Sequence, residues 1–194
     1  MPRQLLRDGR IVADDWRYHS ADAGHEPPAD AATGLILKFE RWLADKAVWL
    51  AMPGRLGVVL APVHRVEQLA PDLARFDLVA AEFSGPGEGR GYSQGRLLRE
   101  RYGFQGELRA VGYVRRDQVF FLARCGFNSF ELPDGELAGA GEALGTFSAQ
   151  YQPANDAGLA VKLRRRELTP AGNASPAPSG RPSGTPTLAP DSRR

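Results

Sequence analysis

Residues 78–103 read LVAAEFSGPGEGRGYSQGRLLRERYG and carry the pattern that decides the fold. Residues 78–83 have the length and mostly apolar character of a buried strand, and the glycine-rich residues 84–91 follow them. Leu97, Leu98 and Tyr102 share one face of a predicted helix over residues 93–103, and Gly103 stands where a C-terminal cap belongs. A strand, a loop and a helix in this order predict one βα unit.

The same order of strand and helix occurs five times along the chain. The strand candidates are residues 35–37, 57–61, 78–83, 107–112 and 129–132. The helical candidates are residues 39–51, 65–76, 93–103, 115–125 and 136–150. This alternation predicts an α/β fold of repeated βα units with a mainly parallel sheet. The spacing fits a partial barrel and a doubly wound sheet equally well.

The two ends of the chain differ from this α/β core, which we place at residues 34–152. In residues 1–33, Asp8-Gly9 lies between two β-prone runs and predicts an N-terminal β-hairpin, followed by a mobile connection over residues 20–33. We expect residues 153–169 to be peripheral. Residues 170–194 hold six prolines and no aromatic residue, which predicts a disordered C-terminal tail.

The charge distribution bounds the classes of partner. The chain has 194 residues and a formal net charge of +2, but residues 1–169 hold 22 basic and 22 acidic residues. A neutral body argues against a nucleic-acid partner. Because no apolar run is long enough to span a bilayer and no signal peptide pattern is present, we expect a cytoplasmic protein without membrane contact.

The residue types also bear on metals and cofactors. The single cysteine, Cys125, excludes a Cys-bound cluster, and the three histidines lack metal-ligand spacing, so we predict no metal site. No flavin or nicotinamide fingerprint is present, and we predict no cofactor. We interpret Cys125 as a small buried hydrophobe rather than a nucleophile. His64 lies at a strand end, where a surface histidine is favoured over an acid/base.

Ligands bind at the carboxyl ends of the strands in both candidate architectures, and the polar residues there concentrate in the third and fourth loops. The third loop offers Glu88, Arg90, Tyr92, Ser93 and Gln94, and its glycines fit neither the dinucleotide nor the Walker signature. Free N–H groups at a helix start, a cap from Ser93 and the charge of Arg90 suit a small oxyanion such as phosphate, sulfate or sulfite. A well-capped loop that binds nothing is the alternative.

The fourth loop supplies Arg115, Arg116, Asp117 and Gln118. Asp117 either moves a proton or, as we favour, complements the dipole of a helix first turn. Arg109 lies inside the preceding strand and needs a carboxylate partner, from Glu82 or Glu131, either in a buried ion pair or in a site. In the predicted site, Glu88 and Asp117 are catalytic, and the substrate-binding residues are Arg90, Tyr92, Ser93, Gln94, Arg109, Arg115, Arg116 and Gln118.

Four segments, taken together, resemble an uncharacterised bacterial family. They are residues 88–102 (EGRGYSQGRLLRERY), 106–112 (GELRAVG), 116–118 (RDQ) and 124–127 (RCGF). The resemblance covers roughly residues 1–152 and is densest over residues 83–132. Genes of that family commonly lie beside the gene of the sulfite reductase hemoprotein, and some members are labelled probable oxidoreductases of sulfite reduction.

The resemblance implies an accessory protein of assimilatory sulfate or sulfite reduction, with sulfite reductase as a partner and a small oxyanion as ligand. The alternative is a stand-alone enzyme that acts on a small anionic substrate at the carboxyl edge of the sheet, and a homodimer is open in either case. The chain departs from the family at Glu88, Tyr113 and Asn128, where the family usually has Asp, and in the Gly-Pro-Gly before Glu88. If those aspartates are catalytic, this chain is altered; if they cap helices, little changes.

Overall fold

The computed structural model of the protein describes residues 3–20, 24–25 and 32–144. Most of the predicted mobile connection, the end of the predicted core after residue 144, the peripheral segment 153–169 and the predicted tail 170–194 lie outside the described residues. The family resemblance and the site candidates fall almost entirely within them.

Eight strands and five α-helices make up the described chain. The strands are β1 (Gln4–Arg7), β2 (Arg10–Ala13), β3 (Trp16–Tyr18), β4 (Gly34–Lys38), β5 (Leu56–Leu60), β6 (Leu78–Phe83), β7 (Glu107–Gly112) and β8 (Ser129–Phe130). The α-helices are α1 (Phe39–Ala44), α2 (Lys46–Ala51), α3 (Arg90–Arg96), α4 (Val119–Arg124) and α5 (Leu137–Leu144). A π-helical turn, Leu97–Arg101, extends α3, and the 3-10 helices are Val66–Gln68, Ala70–Arg75, Arg116–Gln118 and Asp134–Glu136.

The strands form one sheet in the order β2-β1-β8-β7-β6-β5-β4-β3. Strands β3 to β8 are parallel and neighbour one another in chain order, so the sheet is singly wound and curls into a half-barrel rather than a doubly wound fold. The predicted mainly parallel sheet is corrected, because β1 pairs antiparallel with both β2 and β8 and makes the sheet mixed.

The N-terminal hairpin is confirmed and explains the mixed sheet. Asp8 and Gly9 have φ values of 50° and 77°, as a two-residue hairpin turn requires, and they reverse the chain between β1 and β2. The sequence indicates this turn but not that β1 also pairs with β8, through Leu6 with Phe130 and Arg7 with Ser129. A local pattern cannot predict a pairing of such sequence separation.

The two outer strands of the sheet are held close to each other by the chain itself. Only Asp14 and Asp15 separate Ala13, the end of β2, from Trp16, the start of β3. Three Cα–Cα steps span roughly 11 Å at most, so the sheet must curl until its edges approach. Strand β3 has three residues and was not predicted.

The helices cover the outer face of the curled sheet, and the inner, concave face has its own small core. Alternation along β6 sends Val79, Ala81 and Phe83 to the main core under the helices, whereas Leu78 and Ala80 face inward. The inner cluster consists of Trp16, Ile36, Leu78, Ala80 and Val111, all buried. The concave face is therefore packed at its centre, and any ligand must bind at one of its ends.

Two predicted helices differ from the expectation. The predicted helix 39–51 breaks at Asp45 into α1 and α2, and the predicted helix 65–76 consists of two 3-10 helices. Pro71 lies at the start of the second 3-10 helix, where a proline needs no N–H partner. Among the described residues, no helix combines the length and the apolar character that crossing a membrane requires.

Candidate functional site

The glycine-rich third loop leads into α3 three residues earlier than expected. The helix begins at Arg90 with Gly89 as its N-cap, so the predicted capping role of Ser93 is wrong. The carboxylate of Glu88 accepts the backbone N–H of Arg90 at 3.0 Å and its side-chain Nε–H at 3.1 Å. These two hydrogen bonds, the backbone one first, lower the pKa of Glu88. A carboxylate of the chain thus occupies the place where the oxyanion was expected.

Two other residues of the third loop, Tyr92 and Gln94, point into the protein, whereas Ser93 is exposed. Tyr92 packs edge-on against Phe83 at 5.4 Å, and its hydroxyl contacts Gln118 near Asp117. Burial, followed by the proximity of Cys125 and Asp117, raises the pKa of Tyr92. The structure therefore brings one residue of the third loop to the fourth, as the prediction of a shared edge requires.

The remaining residues of the fourth loop anchor the helix that follows. Arg115 Nη1 donates to Glu136 at 2.6 Å, and the backbone N–H of Arg116 donates to the same carboxylate at 2.8 Å. Gln118 Oε1 accepts the backbone N–H of Arg115 at 2.9 Å and closes the first turn. Asp117 is exposed in that turn. Arg115 and Arg116 are thus engaged with the start of α5.

Arg109 is the centre of a buried ionic cluster on the concave face. Its side chain is fully buried and donates five hydrogen bonds, of 2.7 to 3.2 Å, to Glu107, Asp14 and Glu131. Burial alone lowers the pKa of Arg109, but Glu107 and Asp14 outweigh it and raise the pKa. Of the two expected partners, Glu131 binds Arg109 and Glu82 does not. The cluster ties β7 and β8 to the Asp14–Asp15 segment across the concave face.

The carboxyl ends of the parallel strands open into a cavity of about 560 Å³, which we call the mouth. Its lining residues are Arg3, Tyr18, Lys38, Glu40, Val59, Ala61, His64, Glu82, Val111, Gly112 and Glu131. In complete (βα) barrels, active sites lie at the corresponding end of the strands. Glu82, Glu131 and His64 stand out singly in the sequence, but no local pattern joins the lining residues, because they come from five strands and the N-terminal segment.

His64 is held in the mouth in one defined tautomer. Its Nδ1 accepts the backbone N–H of Ala61 at 2.9 Å, so the ring proton is on Nε2, which faces Glu40 Oε1 at 2.9 Å. The ring stacks on Phe39 with a centroid distance of 4.5 Å. The interpretation of His64 as a free surface histidine is corrected, because only 12% of its side chain is exposed and both nitrogens are engaged.

Two charged groups of the mouth have no partner among the described residues. Lys38 ends β4 and is exposed, and Glu82 lies on the inward side of β6 and is half-buried. Glu131, by contrast, is fully engaged by Tyr18 at 2.6 Å, by Arg109 and by Arg3. Burial and the Glu131 carboxylate raise the pKa of Tyr18, so its hydroxyl stays protonated. Lys38 and Glu82 are the groups that remain available to a ligand.

A larger cavity, of about 660 Å³, lies at the opposite end of the strands, but its polar groups serve the fold. Arg99 donates to the carbonyls of Gly126 at 2.9 Å and Gly106 at 3.0 Å, and burial lowers its pKa. Asn128 accepts the N–H of Leu108 at 2.8 Å. The departure from the family at Asn128 therefore falls on a residue that joins β7 to the chain before β8. In the part of the chain that the structure describes, no group of three or more His, Cys, Asp or Glu side chains is arranged so that it could hold a metal ion.

A curled sheet with helices on one face and a polar cavity at the carboxyl ends of its parallel strands defines an α/β half-barrel protein with a candidate small-molecule site. The sequence model of the family DUF934, described as a bacterial protein of unknown function, matches residues 57–161. The chain belongs to this family. No curated protein matches the chain.

Proposed function

We propose that this chain is an accessory protein of assimilatory sulfate or sulfite reduction that binds a small polar ligand in the mouth of the half-barrel. One observation carries the site: two side chains of opposite charge that have no partner within the described part of the chain, Lys38 and Glu82, line one cavity of about 560 Å³ at the carboxyl ends of the strands. The pathway rests on the resemblance of residues 88–127 to the family described above.

The charges of the mouth define the chemistry of the ligand. The ammonium group of Lys38 suits an anionic group, and the carboxylate of Glu82 suits a cationic group or an N–H donor. The apolar side chain of Val59 lies between them on β5, and Val111 lies beside Glu82 on β7. A bare dianion would meet Glu82 as well as Lys38, so a small molecule that carries both an anionic and a donor group fits the mouth better.

Oxyanion binding at the glycine-rich loop is a second proposal, and it requires that the anion replace a carboxylate of the chain. An anion at the start of α3 has to displace the carboxylate of Glu88, which holds the N–H and the guanidinium of Arg90. Replacing Glu88 by Gln removes the negative charge of that competitor, so an anion displaces the side chain from Arg90 more easily. Sulfite should then raise the melting temperature of Glu88→Gln more than that of the wild type, and Arg90→Ala should abolish the effect.

A stand-alone enzyme is the alternative, and the geometry of His64 favours it. A histidine with a fixed tautomer, beside an available lysine and at the carboxyl edge of the sheet, has the arrangement of an acid/base group. Co-purification separates the two functions. An accessory protein binds sulfite reductase and is inert alone, whereas an enzyme turns over its substrate without that partner.

Growth on defined sulfur sources tests the proposal. A bacterial strain that lacks the gene should grow poorly on sulfate or sulfite and normally on sulfide, because only the first two require sulfite reduction. The wild-type gene should restore growth, whereas Lys38→Met and Glu82→Gln should not. Glu67→Gln, which neutralises an exposed carboxylate that does not line the mouth, is the control and should restore growth. Normal growth of the deletion strain on sulfate contradicts the pathway.

A further inference from the structure

The motif Gly91-Tyr-Ser-Gln-Gly95 is not explained by the site in the mouth, and Gln94 gives it a role. We propose that Gln94 is a positioning residue that fixes His64 in the mouth, and that Gly91 and Gly95 let α3 come close enough for this contact. The proposal rests on the proposed function of the mouth. Gln94 itself does not line the cavity.

The chain from Ala61 to His64 forms a closed turn, and Gln94 donates hydrogen bonds to both ends of it. The backbone N–H of His64 donates to Ala61 O at 3.0 Å, and the N–H of Ala61 donates to His64 Nδ1 at 2.9 Å. The side-chain amide of Gln94 donates one hydrogen bond to Ala61 O at 3.0 Å and one to His64 O at 2.9 Å. A single NH₂ group thus ties together the first and last residues of the turn.

The contact of Gln94 with the turn depends on a close approach of α3 to the sheet. A Cβ atom at Gly91 would lie 2.5 Å from the ring of Phe83, and one at Gly95 would overlap the ring of Phe127. Both rings belong to the main core under the helices. With any larger residue at position 91 or 95, the helix would have to move outward. Gln94, which is 5% exposed, would then lose its reach to the turn.

The two hydrogen bonds from Gln94 keep the turn closed and thereby select the tautomer of His64. As long as the Ala61 N–H points at Nδ1, the ring proton stays on Nε2, directed at Glu40. If the turn opens, Nδ1 loses its donor, and only the carboxylate of Glu40, whose side chain is 67% exposed, still holds the ring proton on Nε2, so both tautomers become populated. Gln94 therefore acts on the mouth through His64, and the glycines of the motif serve helix packing rather than anion binding.

The variant Gln94→Met tests this role, because Met has nearly the same shape but no N–H donor. In ¹⁵N spectra of the histidine rings, the wild type should show His64 as the Nε2–H tautomer, and the variant should show a mixture. His19 and His25, the other two histidines, report on the whole fold and should not change. Gln105→Met is the matched control, because Gln105 also donates its Nε2 to a carbonyl, Gly103 O, but is exposed and outside the mouth. An unchanged His64 tautomer in Gln94→Met overturns the proposal.

A measurement on the wild type keeps the test decisive if the variant does not fold or shifts all three histidines. The side-chain amide protons of Gln94 should exchange with solvent at least ~10-fold more slowly than those of exposed Gln105, because both are buried and bonded. Equal exchange rates refute the contact. Neither spectrum involves a ligand, so the positioning role and the function of the mouth fail separately. If Gln94→Met changes the tautomer of His64 but the bacterial strain that carries it grows normally, the positioning role of Gln94 stands and the proposed function of the mouth is contradicted.

Discussion

Replacing Arg109 by Met removes the guanidinium at the centre of the buried ionic cluster on the concave face and keeps a side chain of similar length. In the wild type, the guanidinium satisfies Asp14, Glu107 and Glu131, whose side chains are 3%, 10% and 6% exposed. Arg7 still pairs with Glu107 and Arg3 still pairs with Glu131 in the variant. Asp14 keeps no other cation among the described residues, so the variant leaves it as a buried, unpaired charge.

The expected loss of unfolding free energy follows from the unpaired carboxylate of Asp14. Removing one partner of a buried ion pair costs about 3–5 kcal/mol, against a total unfolding free energy of about 5–15 kcal/mol for a domain. Because the pKa of Arg109 is raised, the guanidinium is charged at every pH of the experiment and its contribution is constant there. The cost to the variant should instead shrink as the pH falls, since protonation of a stranded carboxylate relieves it.

Urea unfolding followed by tryptophan fluorescence measures this loss. Trp16, Trp42 and Trp49 are buried and report on both cores. The control is Arg96→Met, which removes an exposed pair with Glu100 and should cost no more than about 0.5 kcal/mol. The double variant Arg109→Met with Asp14→Asn should recover part of the stability. A loss below about 1 kcal/mol, or one that does not depend on pH, refutes the buried-cluster reasoning.

Two further predictions concern the edge of the mouth and the fourth loop. Gly112→Ala should lower the free energy of unfolding in urea by about 1–3 kcal/mol, because Gly112 has φ 85° and a Cβ there would lie 2.5 Å from Phe83 O. The control Gly85→Ala should be neutral, since a Cβ at Gly85 meets nothing within 4 Å. An equal effect at both positions contradicts the geometry. Two hydrogen bonds lower the pKa of Glu136, first that from the backbone of Arg116 and then that from the side chain of Arg115. Glu136 therefore stabilises the fold above its ordinary pKa of 4.5 and loses that effect as the pH falls through the lowered pKa. The stability difference between wild type and Glu136→Gln should therefore be constant above about pH 5 and shrink below about pH 4.5; a difference that does not change with pH contradicts this reading.

The parts of the fold that the sequence predicts correctly are those with a strong local signal. The bounds of β6 and β7 match the predicted residues 78–83 and 107–112, because buried strands of six residues between loops leave few alternatives. The Asp8-Gly9 turn has its own backbone requirement and was found for the same reason. The pairing of β1 with β8 and the three-residue β3 depend on contacts made by distant segments, which no local pattern contains.

The candidate site shows the same division. The polar residues of the third and fourth loops cluster in the sequence and so predict a site there. In the structure, Glu88 pairs with Arg90 and Glu136 pairs with Arg115, so much of that charge is already satisfied. The mouth is built from residues that are far apart in the chain and meet only because the strands curl. Strand-end position was the usable signal, since Lys38 and Glu82 both lie at the ends of predicted strands.

The most direct measurement of where a ligand binds is a backbone NMR titration of the ¹⁵N-labelled protein with a small-molecule extract of the bacterium grown on sulfate. We predict that the amide signals of Ala61 and Gly112 at the mouth shift, and that the double variant Lys38→Met with Glu82→Gln loses these shifts. Signals of Gly89 and Arg90 should stay in place. Shifts confined to Gly89 and Arg90, or mouth shifts that persist in the double variant, contradict the assignment of the mouth as the ligand site.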